Sequence, residues 1–184
     1  MVEMIQATRL HPLQTGHGRP ATISVTLADN AVRVSLRARP DAVAALSKAL
    51  GLLLPTRPKT TAQNGSRSAI WLGPDEWLLI DSAESTLIAD LAKVKVLHSA
   101  VDISHRNIGI IVSGSGAEAV VSGGCPQDLS LRVFPVGAAS RTVLGKIEVV
   151  IWRTAENTFR VECWRSFSPY AFAFLQESAR DVAI

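Results

Sequence analysis

Apolar and polar positions alternate along two neighbouring stretches near the start of the chain. Ile23, Val25 and Leu27 interleave with Ser24 and Thr26, and Val32, Val34 and Leu36 interleave with Arg33, Ser35 and Arg37. A period of two belongs to a strand with one buried face, and the intervening Asp29-Asn30 predicts a hairpin. On this reading Arg33, Arg37 and Arg39 form a solvated outer face. Pro40-Asp41 then opens an Ala/Leu-rich helix with Val43, Leu46 and Leu50 at helical spacing and Gly51 placed to end it. Residues 55–68 hold two prolines, Asn64-Gly65 and scattered Thr and Ser, and read as a mobile surface loop.

A second hairpin is expected from Ala69–Leu72 and Trp77–Ile80, turned by Gly73-Pro74-Asp75-Glu76, with apolar runs that imply burial on both faces. A helix follows from Ser82 to Lys93, capped by Ser82 or Ser85, with Leu87, Ile88 and Leu91 inward. The second half repeats the plan: strands at Val94–Asp102 and Asn107–Val112, a helix from Ser115, and strands at Thr142–Arg153 and Thr158–Trp164. A last helix begins at Pro169, with Ser168 as its cap and Phe167 stapled to Phe172. Ile70-Trp71 and Ile151-Trp152 sit at like points in the two plans, 81 residues apart. The expected fold is α+β: two ferredoxin-like halves with mainly antiparallel sheets, at 21–94 and 95–184. Residues 1–20, with Pro12, Gly16, Gly18 and Pro20, form an irregular N-terminal arm whose His11 and His17 read as solvated.

Composition narrows the function classes. The chain has 184 residues, 47% of them hydrophobic, which excludes a disordered protein. Nineteen Lys and Arg against sixteen Asp and Glu leave an excess of three and no basic block, a poor match to nucleic acid. The longest apolar run, Tyr170–Leu175, is six residues, too short for a membrane span, and the first residues lack a secretory apolar stretch. Cys125 and Cys163 have no CxxC or CxxH spacing, so neither a disulfide framework nor a zinc site is indicated and a cytoplasmic setting is expected.

Asp102, Ser104 and His105 are the residue types of a hydrolytic triad, but on one strand Asp102 and Ser104 share a face while His105 points away, and no G-x-S-x-G elbow is present. Hydrogen bonding at a strand end is the better reading. Ser113-Gly114-Ser115-Gly116 lacks the P-loop lysine and reads as a turn with a helix cap. Cys125 has no basic neighbour in sequence and reads as an inert thiol.

Taken together, Trp71-Leu72-Gly73-Pro74-Asp75-Glu76-Trp77-Leu78, Val101-Asp102-Ile103-Ser104-His105-Arg106, Gly124-Cys125-Pro126-Gln127-Asp128-Leu129, Phe134-Pro135, Arg141-Thr142, Gly145-Lys146-Ile147, Phe159-Arg160-Val161 and Trp164-Arg165-Ser166-Phe167 resemble the gamma-subunit family of heterotetrameric sarcosine oxidase, over roughly residues 20–178. More distantly, Asp102, Ser104, His105 and Gly116-Ala117-Glu118-Ala119 are similar to the folate-binding fold of the glycine-cleavage T protein. Glu118 stands where that pattern has Asp, and Glu148 is a single acid where it has a pair.

The resemblance implies the T-protein folate-domain fold and a complex of four different chains that oxidatively demethylates sarcosine and passes the one-carbon unit to tetrahydrofolate. It implies that alpha and beta chains carry FAD, FMN, NAD and the tetrahydrofolate site, and that a delta chain binds zinc. The gamma chain contributes packing, with no catalytic, cofactor-binding or metal residue of its own. A stand-alone folate-binding or one-carbon transferase-like module is the alternative. Four of the ten aromatics, Phe167, Tyr170, Phe172 and Phe174, fall within eight residues, with Trp164 just before them. These five are the expected subunit interface. Tyr170 and Phe174 share a helical stripe and Phe172 points away, so one side is expected to pack on the sheet and the other to meet a partner.

Overall fold

A computed structural model of the chain describes residues 23–183; the expected arm, with His11 and His17, lies outside them. Ten strands and four helices follow in chain order among the described residues. They are β1 Ile23–Leu27, β2 Ala31–Ala38, α1 Val43–Leu50, β3 Thr61–Asn64, β4 Arg67–Gly73, β5 Glu76–Ser82, α2 Leu87–Ala92, β6 His98–Asp102, β7 Asn107–Gly114, α3 Ala117–Ser122, β8 Ala139–Leu144, β9 Ile147–Ala155, β10 Thr158–Trp164 and α4 Ser168–Val182.

The strands form two five-stranded sheets, ordered β3-β4-β5-β2-β6 and β8-β9-β10-β7-β1, with every pair antiparallel. In the first sheet β2, α1, β4, β5, α2 and β6 reproduce the ferredoxin-like βαββαβ order, with β3 added at the edge. The second sheet repeats this with β7, α3, β9, β10 and α4, but its closing strand is β1, from the other end of the described chain. The expected α+β fold of two ferredoxin-like halves is therefore present. The hairpin expected between β1 and β2 is not: Val25 pairs with Val112 of β7. β6 meanwhile joins the first sheet, with Leu36 opposite Ala100.

Alternation along each strand sorts its side chains between two cores. In β5, Trp77 and Leu79 face α1 and α2, packing with Leu46, Leu50, Leu87 and Leu91. Leu78 and Ile80 face the other sheet, meeting Val150 and Trp152 of β9. Val149 and Ile151 of β9 in turn face α3 and α4, packing with Val120, Phe172 and Leu175. The molecule is thus four layers, helices, sheet, sheet, helices, and both faces of each central strand are buried. This accounts for the unbroken apolar runs at 69–72, 77–80 and 149–152.

Several local expectations are met and others corrected. Gly51 ends α1 at φ 63°, a left-handed cap that glycine adopts without strain. The loop expected at 55–68 contains β3, whose polar residues suit an edge strand. A two-residue turn with Gly145 at φ 59° divides the strand expected at 142–153 into β8 and β9. Ile88 of α2 is exposed rather than inward. Ser168 makes no cap; its hydroxyl donates to the Arg165 carbonyl at 2.8 Å, and Phe167 stacks on Trp164 instead of stapling to Phe172. Among the described residues no helix is long and apolar enough to cross a membrane.

Candidate functional site

The inter-sheet face of β2 carries Arg33, which the alternation had assigned to solvent. It is buried, because that face of the sheet is covered by the second sheet. Its Nε donates to Glu162 Oε2 at 2.6 Å and its Nη2 to Glu162 Oε1 at 3.0 Å, an ion pair with 2% and 1% of the side chains exposed. Arg160 Nε donates to the same Oε1 at 2.8 Å. Burial opposes charge on Glu162, but Arg160 and Arg33 outweigh it and hold the carboxyl below its ordinary range. Arg37, by contrast, is exposed as expected and pairs with Asp75.

Beside this cluster a cleft of about 220 Å³ opens between the sheets. Leu72, Glu76, Ile103, Arg106, Glu148 and Trp164 line it, so strings up to 92 positions apart in sequence meet at one place. The turn at 73–76 brings Glu76 to Arg141 of the other sheet, at 2.5 Å. Trp77 is buried beneath and donates its indole N–H to the Pro55 carbonyl at 2.7 Å.

The Asp102-Ser104 string serves the strands. Ser104 Oγ accepts the Arg33 backbone N–H at 2.9 Å, and the Ser104 N–H donates to Asp102 Oδ1 at 2.8 Å. Ile103 N–H reaches the Arg33 carbonyl at 2.8 Å, so the loop after β6 continues the ladder along β2. Ser104 is buried and His105 exposed, so the three residues do not assemble as a nucleophile and base. Glu118 pairs with the buried Arg153 at 2.8 Å. Gly116 packs against Ile23 and Val182, where a side chain would collide, which gives the Gly-rich turn a packing role. Both cysteines are buried and free, and burial pushes the Cys163 thiol up to about 12.

The five aromatics divide. Trp164, Phe167 and Tyr170 are 44%, 42% and 39% exposed, and Phe174 is half-buried against the core. Phe172, expected to face a partner, is 6% exposed and sits in the core with Ala171 and Leu175. The inward stripe is Ser168, Ala171, Phe172 and Leu175, whose small members allow the helix to approach the sheet closely. Trp164 links this patch to the cleft: its ring stacks on Phe167 at 6.0 Å, and the Arg106 guanidinium lies 5.3 Å from its centroid.

Residues 35–181 match the model of the family described as "Sarcosine oxidase, gamma subunit family". The chain belongs to that family. Among its relatives, the sarcosine oxidase subunit gamma of Corynebacterium sp. (strain P-1) is 32% identical over 83% of this chain and 78% of its own. The Arthrobacter sp. subunit is 37% identical over 71% of this chain and 67% of its own. Among solved structures, a chain of the heterotetrameric sarcosine oxidase from Corynebacterium sp. U-96 superposes with a TM-score of 0.84 at 29% identity, covering 88% of this chain and 86% of that one. The aminomethyltransferase T of Bartonella henselae superposes at 0.63 with 13% identity over 47% of its length, a likeness of fold alone. The two-sheet architecture of this gamma-family chain is thus shared with the T-protein fold.

Proposed function

We propose that this chain is the gamma subunit of a four-chain sarcosine oxidase and acts in it as a non-catalytic packing subunit. The observation that carries the reading is the superposition over 88% of the chain on one chain of a heterotetrameric sarcosine oxidase. The neighbouring alpha, beta and delta chains hold FAD, FMN, NAD, tetrahydrofolate and zinc in this reading, and the complex works in the cytoplasm, oxidising sarcosine and passing its methyl carbon to folate. The inter-sheet cleft, about 220 Å³, is smaller than the ~300–1,000 Å³ of ligand sites, which supports a packing role for it; a shallower hollow of about 670 Å³ beside α1 is lined by Pro40, Val43, Leu52 and Leu54 and carries Lys48 as its one charged residue. Of the inter-sheet cleft's three acids, Glu76 and Glu162 are already held by arginines and Glu148 is exposed, and no metal-ligand cluster occurs among the described residues.

The contact surface in this reading is the exposed strip of Trp164, Phe167 and Tyr170, with half-buried Phe174 behind it. Exposed aromatics in a row are enriched where a chain is buried by another. The test is to express the partner chains with and without this one. The reading expects the complex to lose assembly and sarcosine oxidation without this chain, and expects calorimetry of the purified chain with tetrahydrofolate to give no heat of binding. Low-micromolar folate binding by the chain alone would instead support a folate module.

A further inference from the structure

The tip of the β3–β4 hairpin combines a reactive sequence with a structural duty. Asn64 pairs with Arg67 across the turn Gly65-Ser66, and both Asn64 and Gly65 are exposed. Gly65 sits at φ 59°, and outside its chain neighbours no atom lies within 4 Å of where a side chain would begin. The Asn64 side-chain amide donates to the Gly51 carbonyl at 2.8 Å, so it ties the hairpin to the left-handed cap of α1. Arg67, its cross-strand partner, holds the Leu50 carbonyl, Asp81 and Asp90.

We propose that Asn64 is a site of spontaneous deamidation in the folded chain, and that its conversion to an acid releases the hairpin from α1. The Gly65 backbone nitrogen attacks Asn64 Cγ, the Cγ–Nδ2 bond breaks, and the side-chain nitrogen leaves as ammonia. Water then opens the five-membered imide at either carbonyl, leaving aspartate or isoaspartate with no change of oxidation state. A residue without a side chain leaves its own nitrogen free to approach. Ring closure requires the Asn64 amide to leave Gly51 and turn back over the main chain. β3 is a four-residue edge strand paired only with β4, and such a tip opens at low cost.

The other three asparagines set the contrast. Asn30 and Asn157 are equally exposed but precede Ala31 and Thr158, and Asn107 is buried before Ile108. In the product, the group facing Gly51 has lost its N–H donors and carries a negative charge against a carbonyl oxygen, so the tie is broken. The new carboxylate also competes with Asp81 and Asp90 for Arg67. In the isoaspartyl form the side-chain methylene enters the main chain and the Asn64–Arg67 register is lost.

The experiment incubates the purified full chain in mildly alkaline buffer and follows each asparagine by peptide mapping and mass spectrometry. Acid products, aspartyl and isoaspartyl, are expected to accumulate at Asn64 several-fold faster than at Asn30 or Asn157. Asn64→Gln, whose imide ring would be six-membered, is expected to give no product at that position over the same time. Gly65→Ala is expected to slow the reaction at Asn64. Asn64→Asp is expected to lower the thermal midpoint, as is the aged wild-type chain. Conversion at Asn64 only after the chain is unfolded, or at the same rate at Asn30, overturns the site. A wild-type midpoint in both Asn64→Asp and the aged chain overturns the release from α1.

Discussion

Replacing Glu162 by leucine strips the counter-charge from two arginines at once. Glu162 accepts charge-assisted hydrogen bonds of 2.6, 3.0 and 2.8 Å from Arg33 and Arg160, and it lies between two sheets with 1% of its side chain exposed. Breaking a buried ion pair by removing one partner costs about 3–5 kcal/mol, because the remaining charge is left without water or a partner. For a chain of this size that corresponds to a fall in thermal midpoint of roughly 6–20 °C. Arg33→Met is expected to cost less, about 2–3 kcal/mol, since Glu162 keeps Arg160. The double variant removes the stranded partner along with the carboxylate, so its cost falls below the sum of the singles by about 1–3 kcal/mol. Urea unfolding followed by circular dichroism and tryptophan fluorescence measures all three. A Glu162→Leu cost under about 1 kcal/mol, or additive singles, would refute a dry, coupled inter-sheet pair.

Other consequences are independent of that cluster. Ser104→Ala leaves the Arg33 backbone N–H without its acceptor in a buried strand, a cost of about 1–3 kcal/mol by urea unfolding. The Asp81 carboxyl is held below its ordinary range, since Ser66, Ser85, the Ser82 N–H and Arg67 outweigh the burial that opposes its charge. A carboxylate depressed in the fold contributes fully above its unfolded value, near pH ~4, and its contribution fades as pH falls through the folded value. Acid titration should therefore show a loss of stability below about pH 4 that is smaller in Asp81→Asn. The thiols of Cys125 and Cys163 should resist alkylation at neutral pH until urea unfolds the chain, since both are buried and the thiolate of Cys163 is disfavoured.

How much could be read without coordinates depended on whether the deciding partner was close in sequence. The 69–80 hairpin, the Gly51 cap and the inward Leu46, Leu50, Leu87 and Leu91 are local patterns, and they stand as expected. The partner of β1 is Val112 and its neighbours, some 85 residues away, while β2 lies just after it; proximity favoured the wrong pairing. Arg33 misleads for the same reason. Its alternation is that of a half-exposed strand, and the carboxylate that makes burial tolerable is 129 residues distant. In α4 the reading gave weight to the large rings, whereas the buried stripe includes Ser168 and Ala171, whose small size is what brings the helix onto the sheet. The cleft was legible only in part. The strings that meet there were singled out, but nothing in their spacing said that Leu72, Arg106 and Trp164 line one cleft.

The account stands on this chain being one member of a complex of four different chains. Native mass spectrometry of the assembly captured from cells through a tag on this chain measures that directly. The expected result is one copy of this 184-residue chain with one copy each of three different, larger or smaller chains, at a single mass. A tagged chain that emerges alone, or only with further copies of itself, contradicts it.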